Sequence, residues 1–306
     1  MQKLFCLVAV FLSTAILCNA QRTELRLNLQ KGNVYKQVTN AETTIVQDVG
    51  GQKLNITMAI EGTFSFLVTS VTDAGYDMDA KFESLSMSIN TPQGSMDFSS
   101  ERVDSTDVFS LILGSMINKV FKVAMTRSGE ITWVGDVEKL WDGAIDQFPE
   151  LSEIQRNQIK AQLLNAYGEK ALKGNIEMVT AVYPDRAVRI GEKWTVNTNL
   201  ESGMSAEVTS EYEFTKMTAD HVFLKGASKI ETSDKDAYIE TNGMPMRYNL
   251  KGKMTSEIRA DRKTGWIEEA RINQEIAGDT QIKDNPQIPG GMTIPMTMTS
   301  KILITN

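Results

Sequence analysis

The sequence offers few side chains able to do covalent chemistry. Its single histidine, His221, stands beside Asp220, and its two cysteines, Cys6 and Cys18, both fall in the first twenty residues. A Ser-His-Asp triad needs an imidazole held against an activated serine, whereas Ala219-Asp220-His221 reads as a solvated hairpin turn. Without cysteine or further histidine after residue 20, zinc sites of the usual nitrogen and sulfur ligands are excluded. Acidic residues are numerous, but Asp220, Asp234, Asp236, Asp261, Glu268, Glu269 and Asp279 scatter among turns and solvent-facing strand positions. No spacing singles out the facing carboxylate pair that glycoside hydrolysis requires. Asp77-Met78-Asp79 falls short of a calcium loop, and phosphate-binding glycine loops, dinucleotide fingerprints and nucleophile elbows are missing. The expectation is a protein with no catalytic residue, no metal and no cofactor.

Methionine is the unusual feature, 16 in all and 15 beyond residue 20. Met244 and Met246 alternate onto one face with Tyr248 and Leu250. Met292, Ile294, Met296 and Met298 share a face of the last strand, and Met58, Met87, Met96 and Met116 lie on apolar faces too. Soft, unbranched side chains of this kind suit hydrophobic ligands of variable shape. They also serve to fill an irregular core, their commoner job. A Cu(I) thioether site at Met292, Met296 and Met298 would lack the mixed soft ligands such sites use. Trp133, Trp141, Trp194 and Trp266 read as packing anchors. The candidate ligand-binding set is Phe109, Ile112, Met116, Trp141, Met244, Met246, Met296 and Met298.

These residues need a framework. The chain opens with Lys3 and an apolar run from Leu4 to Leu17, ending in Cys18-Asn19-Ala20, which reads as an export leader over residues 1–20 cleaved after Ala20. The run is shorter than the roughly 20 residues a membrane-spanning helix needs, and no second run of that length follows. A rival reading lipidates Cys18, although Leu17 occupies the place where lipoprotein signals carry a small residue. Removing the leader deletes Lys3 and no acid, so 32 basic residues become 31 against 39 acidic ones, a net charge of −8. That balance argues against nucleic acid or an anionic membrane surface as partner. The remaining chain is long enough for a large core without disulfides.

From Leu25 to Phe98 apolar and polar residues mostly alternate, the pattern of half-buried antiparallel strands. Leu54, Ile56, Met58 and Ile60 share a face. Phe64, Phe66 and Val68 follow after Glu61-Gly62, and Asp73-Ala74-Gly75 and Thr91-Pro92-Gln93-Gly94 mark turns. At Asp104-Ser105-Thr106, good N-caps, the period becomes helical, and Val108, Phe109, Ile112, Leu113, Met116, Ile117 and Val120 make a helix near 106–118 that is apolar over more than half its surface. Such a helix must be covered on several sides, which places it inside the concave face of a sheet. After the Arg127-Ser128-Gly129-Glu130 turn, Asp136 is expected to cap a second helix ended by Pro149, and a third runs from Ser152 to Tyr167 with Gly168 as its stop. Strand patterning resumes at Asn175 and continues to Ile304. The turn sequences near Asp73 and Arg127 have echoes near Asp220 and Arg262, as a duplicated layer would give and as chance would too.

The expected architecture is α+β, a strongly curved, mostly antiparallel, half-barrel-like sheet in one or two similar layers around a central helical segment. Residues 21–134 form an N-terminal β-layer, 135–174 the helical segment and 175–306 a C-terminal β-layer. The Tyr183-Pro184 and Gly191-Glu192-Lys193-Trp194 segment and the Thr264-Gly265-Trp266 unit resemble a family of uncharacterised secreted bacterial proteins. The resemblance implies no assigned activity, so no functional residue is carried over. More loosely, the architecture is similar to the half-barrel of periplasmic lipoprotein carriers, and a shared fold is not a shared function.

The leading functional expectation is a noncatalytic periplasmic, outer-membrane-associated or extracellular protein that binds a hydrophobic or lipid-like ligand between sheet and helices. The alternative is a structural or protein-interaction component of the bacterial cell envelope, docking a partner by a sheet edge or apolar patch. Hydrolysis by paired carboxylates ranks behind both.

Overall fold

The computed structural model describes residues 22–306 except 103–106, 142, 144, 202–204, 242–243 and 287. The expected leader and the expected caps Asp104, Ser105 and Thr106 lie outside the described residues. Strands β1 (Val34–Val49), β2 (Gln52–Val71), β3 (Gly75–Thr91) and β4 (Gly94–Ser99) precede helix α1 (Val108–Met116). Then come β5 (Phe121–Thr126), β6 (Ile131–Gly135), two short 3-10 turns (Val137–Leu140 and Ile145–Gln147), α2 (Glu153–Tyr167) and α3 (Glu169–Thr180). The second half is β7 (Lys193–Glu201), β8 (Ser205–Met217), β9 (His221–Thr232), β10 (Ile239–Thr241), β11 (Met244–Asp261), β12 (Ile267–Ile282) and β13 (Met292–Thr305).

Among the described residues, all thirteen strands join one antiparallel sheet whose path is β6-β5-β3-β2-β1-β13-β12-β11-β9-β8-β7, with β4 and β10 attached at the sides. The two halves are therefore not separate layers: β1 and β13 pair directly, from Val38 opposite Thr305 to Gln47 opposite Met296. The sheet is not closed strand to strand, but α3 packs on both β6 and β7, the two ends of the path. One helix thus stands in the gap, as a stave would in a barrel. On one side the Ile131 amide donates to the Glu177 carboxylate at 2.8 Å. On the other, Gly174 lies so near β7 that a Cβ would fall 2.5 Å from the Asn199 carbonyl oxygen.

Partners directly opposite one another share a face of the sheet. Followed strand by strand, the inward positions of β1 to β13 carry no Asp, Glu, Lys, Arg or His among the described residues, and the charges stand outward. Outward ion pairs cross neighbouring strands, as in Lys193–Glu211 at 2.7 Å, Lys225–Glu257 at 3.3 Å and Lys253–Glu275 at 3.5 Å. This sidedness is the reverse of a membrane-spanning β-barrel, which turns its apolar side chains outward. No helix among the described residues is long and apolar enough to cross a membrane.

Curvature has a visible cause in a diagonal of inward glycines, Gly226, Gly252 and Gly278. A Cβ on Gly226 would meet the Tyr212 ring at 2.7 Å, and one on Gly278 (φ +155°) would meet the Asn249 carbonyl oxygen at 2.1 Å. Missing side chains let large neighbours lean in and the strands coil.

The turns of the two halves are built alike. Thr72 Oγ1 accepts from the Gly75 amide at 3.2 Å, and Thr218 Oγ1 accepts from the His221 amide at 3.0 Å. Arg127 Nη2 donates to the Thr72 carbonyl at 3.1 Å, as Arg262 Nη1 does to that of Thr218 at 3.0 Å. The sequence echo thus has a matching hydrogen-bond pattern.

Three element boundaries differ from the sequence reading. Glu61-Gly62 does not break the chain, because β2 runs unbroken through it. The helix expected after Asp136 is only the two 3-10 turns, and Asp136 sits in the left-handed region (φ 64°) without capping through its side chain. Helix α3 continues to Thr180, past Asn175, because Leu172, Ile176 and Val179 bury a helical stripe that the alternation of Ile176, Met178 and Thr180 had disguised as a strand. Helix α2 matches its expectation: Ser152 and Gln155 form a capping box, and Gly168 stands at the stop.

Candidate functional site

One end of the curled sheet is solid. The segment Arg22–Gln30 crosses it, burying Leu25, Leu27 and Leu29. Its amides find partners on turns far along the chain: Leu27 on the Arg127 carbonyl at 2.8 Å and Asn28 on that of Thr264 at 2.7 Å. The Tyr76 hydroxyl donates to the Leu27 carbonyl at 2.9 Å and accepts from the Leu29 amide at 3.2 Å. The punctuation residues singled out in the sequence converge here. Tyr183, whose hydroxyl pKa is pushed up by burial, donates to the Gly265 carbonyl, Trp194 Nε1 donates to the Val182 carbonyl at 3.0 Å and Trp266 Nε1 to that of Lys36 at 2.8 Å. Phe64, Phe66, Phe82 and Phe121 pack ring to ring beneath, with centroids 4.7 to 5.5 Å apart along the contacts of Phe64. A residual void between Leu27, Val179, Trp266 and Ile304 measures about 10 Å³, room for a single water molecule at most.

The other end of the same strands is open. On β2, Phe66 is fully buried, but the inward residues beyond it, Ile60, Met58, Ile56 and Leu54, are half-buried or exposed. Register aligns Ile56 with Ile45 of β1, Ile45 with Met298 of β13, and Met298 with Ile276 of β12. In the next rows Met58 stands opposite Ile89 and Ile89 opposite Met96, and Ile60 opposite Met87. These side chains line an apolar trough with Met96 48% and Ile60 37% exposed. From Ile60 to Leu54 it runs about 20 Å along the strands, and from β3 to β13 about 14 Å across them.

Helix α1 forms one wall. Its N-cap is Asp107, which accepts from the Ser110 amide; burial alone would raise the Asp107 carboxyl, but the Ser110 hydrogen bonds and the Arg102 charge outweigh it and hold the pKa low. The helix lies against β3 and β4, with the Ser99 amide donating to Ser110 Oγ at 2.9 Å and the Phe109 and Phe98 rings 5.3 Å apart. The expected cover for this apolar helix is therefore the sheet. Of the candidate ligand-binding residues, Ile112, Met116 and Trp141 are buried at 1%, 0% and 7% exposure and serve core packing rather than an open site. Phe109 stays 44% exposed at the rim. Met244, Met246, Met296 and Met298 point inward from β11 and β13 and are half-buried.

The methionines thus lie on the same concave face as the trough, whereas α1 sits on the opposite arm with β2 and β1 intervening. Ile45, Ile56, Ile60 and Ile89 complete the lining and were absent from the candidate set. Their alternation was legible; their pairing with β13 was not. His221 heads β9 with Nε2 3.0 Å from Glu268, on the outward face and away from the trough. A separate hollow of about 660 Å³ at the α2–α3 joint mixes Val137, Leu164 and Ile239 with Glu138, Glu169, Lys170, Glu201 and Glu240, charges that the trough lacks.

A family model described as "Family of unknown function (DUF6263)" matches residues 73–267. The chain belongs to this family. The DUF6263 span begins at the Asp73-Ala74-Gly75 turn and ends just past Trp266, so it holds Arg127 and both partners of the Arg262–Thr218 bond but neither Thr72 nor the crossing segment Arg22–Gln30. No curated protein matches the chain. Among solved structures the DUF6263 chain is similar to lipovitellin, described for its lipid–protein interactions, at 10% identity and a TM-score of 0.48, covering 91% of this chain and 25% of that one. It is also similar to an outer membrane channel from Pseudomonas putida F1 at 8% identity and a TM-score of 0.27, covering 90% of this chain and 97% of that one. This chain therefore spans about a quarter of the lipovitellin chain.

Proposed function

We propose that this protein is a noncatalytic, exported binding protein that holds a hydrophobic, lipid-like ligand in the open trough. The observation that supports this reading is the row Ile56, Ile45 and Met298, continuous with Met58, Ile89 and Met96, left partly exposed on a concave face without charge. Exposed apolar surface of that extent on a folded chain marks a place where something else is meant to lie. Docking of a protein through the β4 edge fits less well, because Arg102 Nη1 donates to the Asp97 carbonyl at 2.7 Å and occupies the backbone a partner strand would use.

Native mass spectrometry of the protein expressed with its leader tests the reading. Retained lipid that disappears in Met58→Asp and Met298→Asp, with unchanged circular dichroism, is the expected result. A wild-type protein that carries no lipid and binds no apolar dye, or a stable dimer that hides the trough, overturns it.

A further inference from the structure

On the reading that the trough is a ligand site, we infer that it selects the length of an uncharged chain and ignores the head that the chain carries. Three observations converge. First, the inward positions carry no ionisable cation or anion that could meet a headgroup, and an unpaired charge drawn into such a site would be strongly disfavoured. Second, three hydroxyls of the concave wall are already engaged: Thr43 and Ser300 share a hydrogen bond at 2.9 Å, and Thr280 Oγ1 donates to Met296 Sδ at 3.3 Å. Third, the rim is electrically balanced at the β1–β2 turn, where Asp48 stands opposite Lys53 and Asp48 Oδ1 accepts from the Gly51 amide at 2.8 Å. Apart from the amides of Gln47 and Gln274, which can hydrogen-bond a neutral or a charged oxygen alike, what remains to recognise is hydrocarbon, gripped by thioethers and isoleucines that adapt to its bends. The chain end would lie toward the packed phenylalanines and the head beyond the rim, so the ligand class is a single long acyl or prenyl chain on any small head.

Calorimetric titration with caprylate, laurate, palmitate and methyl palmitate reads this directly. Affinity should rise about fourfold per added methylene until the chain spans the trough, palmitate and its methyl ester should bind alike, and added salt should change neither. Ile56→Trp, which fills the middle row without adding charge, should shift the preference toward laurate. An ester that binds an order of magnitude more weakly than the acid, or an affinity that falls with ionic strength, overturns the inference and leaves the site standing. Failure of all four probes to bind overturns the site itself.

Discussion

The two ends of this curled sheet are made from the same strands and differ in what lies between them. On β2 the inward residues Phe66 and Val68 are sealed, whereas Ile56 and Met58 a few positions away are half-bare. Wall chemistry changes from aromatic rings to methionine and isoleucine, but the larger difference is the filling. Arg22–Gln30, the aromatic cluster and α3 occupy one end, whereas among the described residues the other is bordered by α1 on one side and left unfilled. The comparison teaches that room for a ligand here comes from leaving a core unfinished, which costs stability at the open end.

The contrast is broken most directly by truncation. Phe66→Ala at the sealed end should lose about 3–5 kcal/mol of unfolding free energy, and Met58→Ala at the open end less than about 1.5 kcal/mol. Chemical denaturation followed by tryptophan fluorescence compares them, and equal losses would mean that the trough is ordinary core. Next in size is Gly265→Ala. Gly265 has φ +70°, and a Cβ would lie 2.2 Å from the Arg26 carbonyl oxygen, so the change should cost more than about 1 kcal/mol. Hydrogen exchange should quicken at the Leu27 and Asn28 amides and stay unchanged on β4.

A pH series sharpens the role of α3. Burial, outweighing the pull of Lys173, raises the Glu177 carboxyl above its ordinary value of 4.5. A raised carboxyl favours folding in its protonated form, so this contribution is whole below pH 4.5 and is lost as pH climbs through the folded value. The denaturation midpoint of the native protein should therefore fall relative to Glu177→Gln as pH rises, and the two should converge in acid. Parallel curves at every pH would mean that burial does not control this group. The smallest effect belongs to the outward face: Lys225→Ala, which breaks an exposed pair with Glu257, should change stability by less than about 1 kcal/mol and leave ligand retention untouched.

Strand alternation was plain in the sequence wherever one face meets water, as in Leu54 to Ile60, and so were the glycine turns and the cap of α2. A mostly antiparallel curved sheet around helices, in one layer or two, could be read from these. Local pattern could not show that β1 pairs with β13, because nothing near Ile45 names Met298 as its neighbour. Nor could it show bulges such as that between Thr63 and Phe64, which brings Phe82 and Leu85 both to the inner face. For the site, the apolar character of α1 was legible but its use was not: Ile112 and Met116 are spent on sheet packing, and the open surface falls to strand residues whose exposure depends on what fails to cover them. The methionine-rich last strand carried the one signal that pointed to the concave face.

The crossing segment at the sealed end also sets an order of events in time. Leu27 and Asn28 wait for Arg127 and Thr264 before their amides can pair, so a chain emerging from its N-terminus holds Leu25, Leu27 and Leu29 without a home until nearly all the remaining strands exist. Closure of that end therefore rests on contacts between residues far apart in the chain, the kind whose loop-closure cost slows folding.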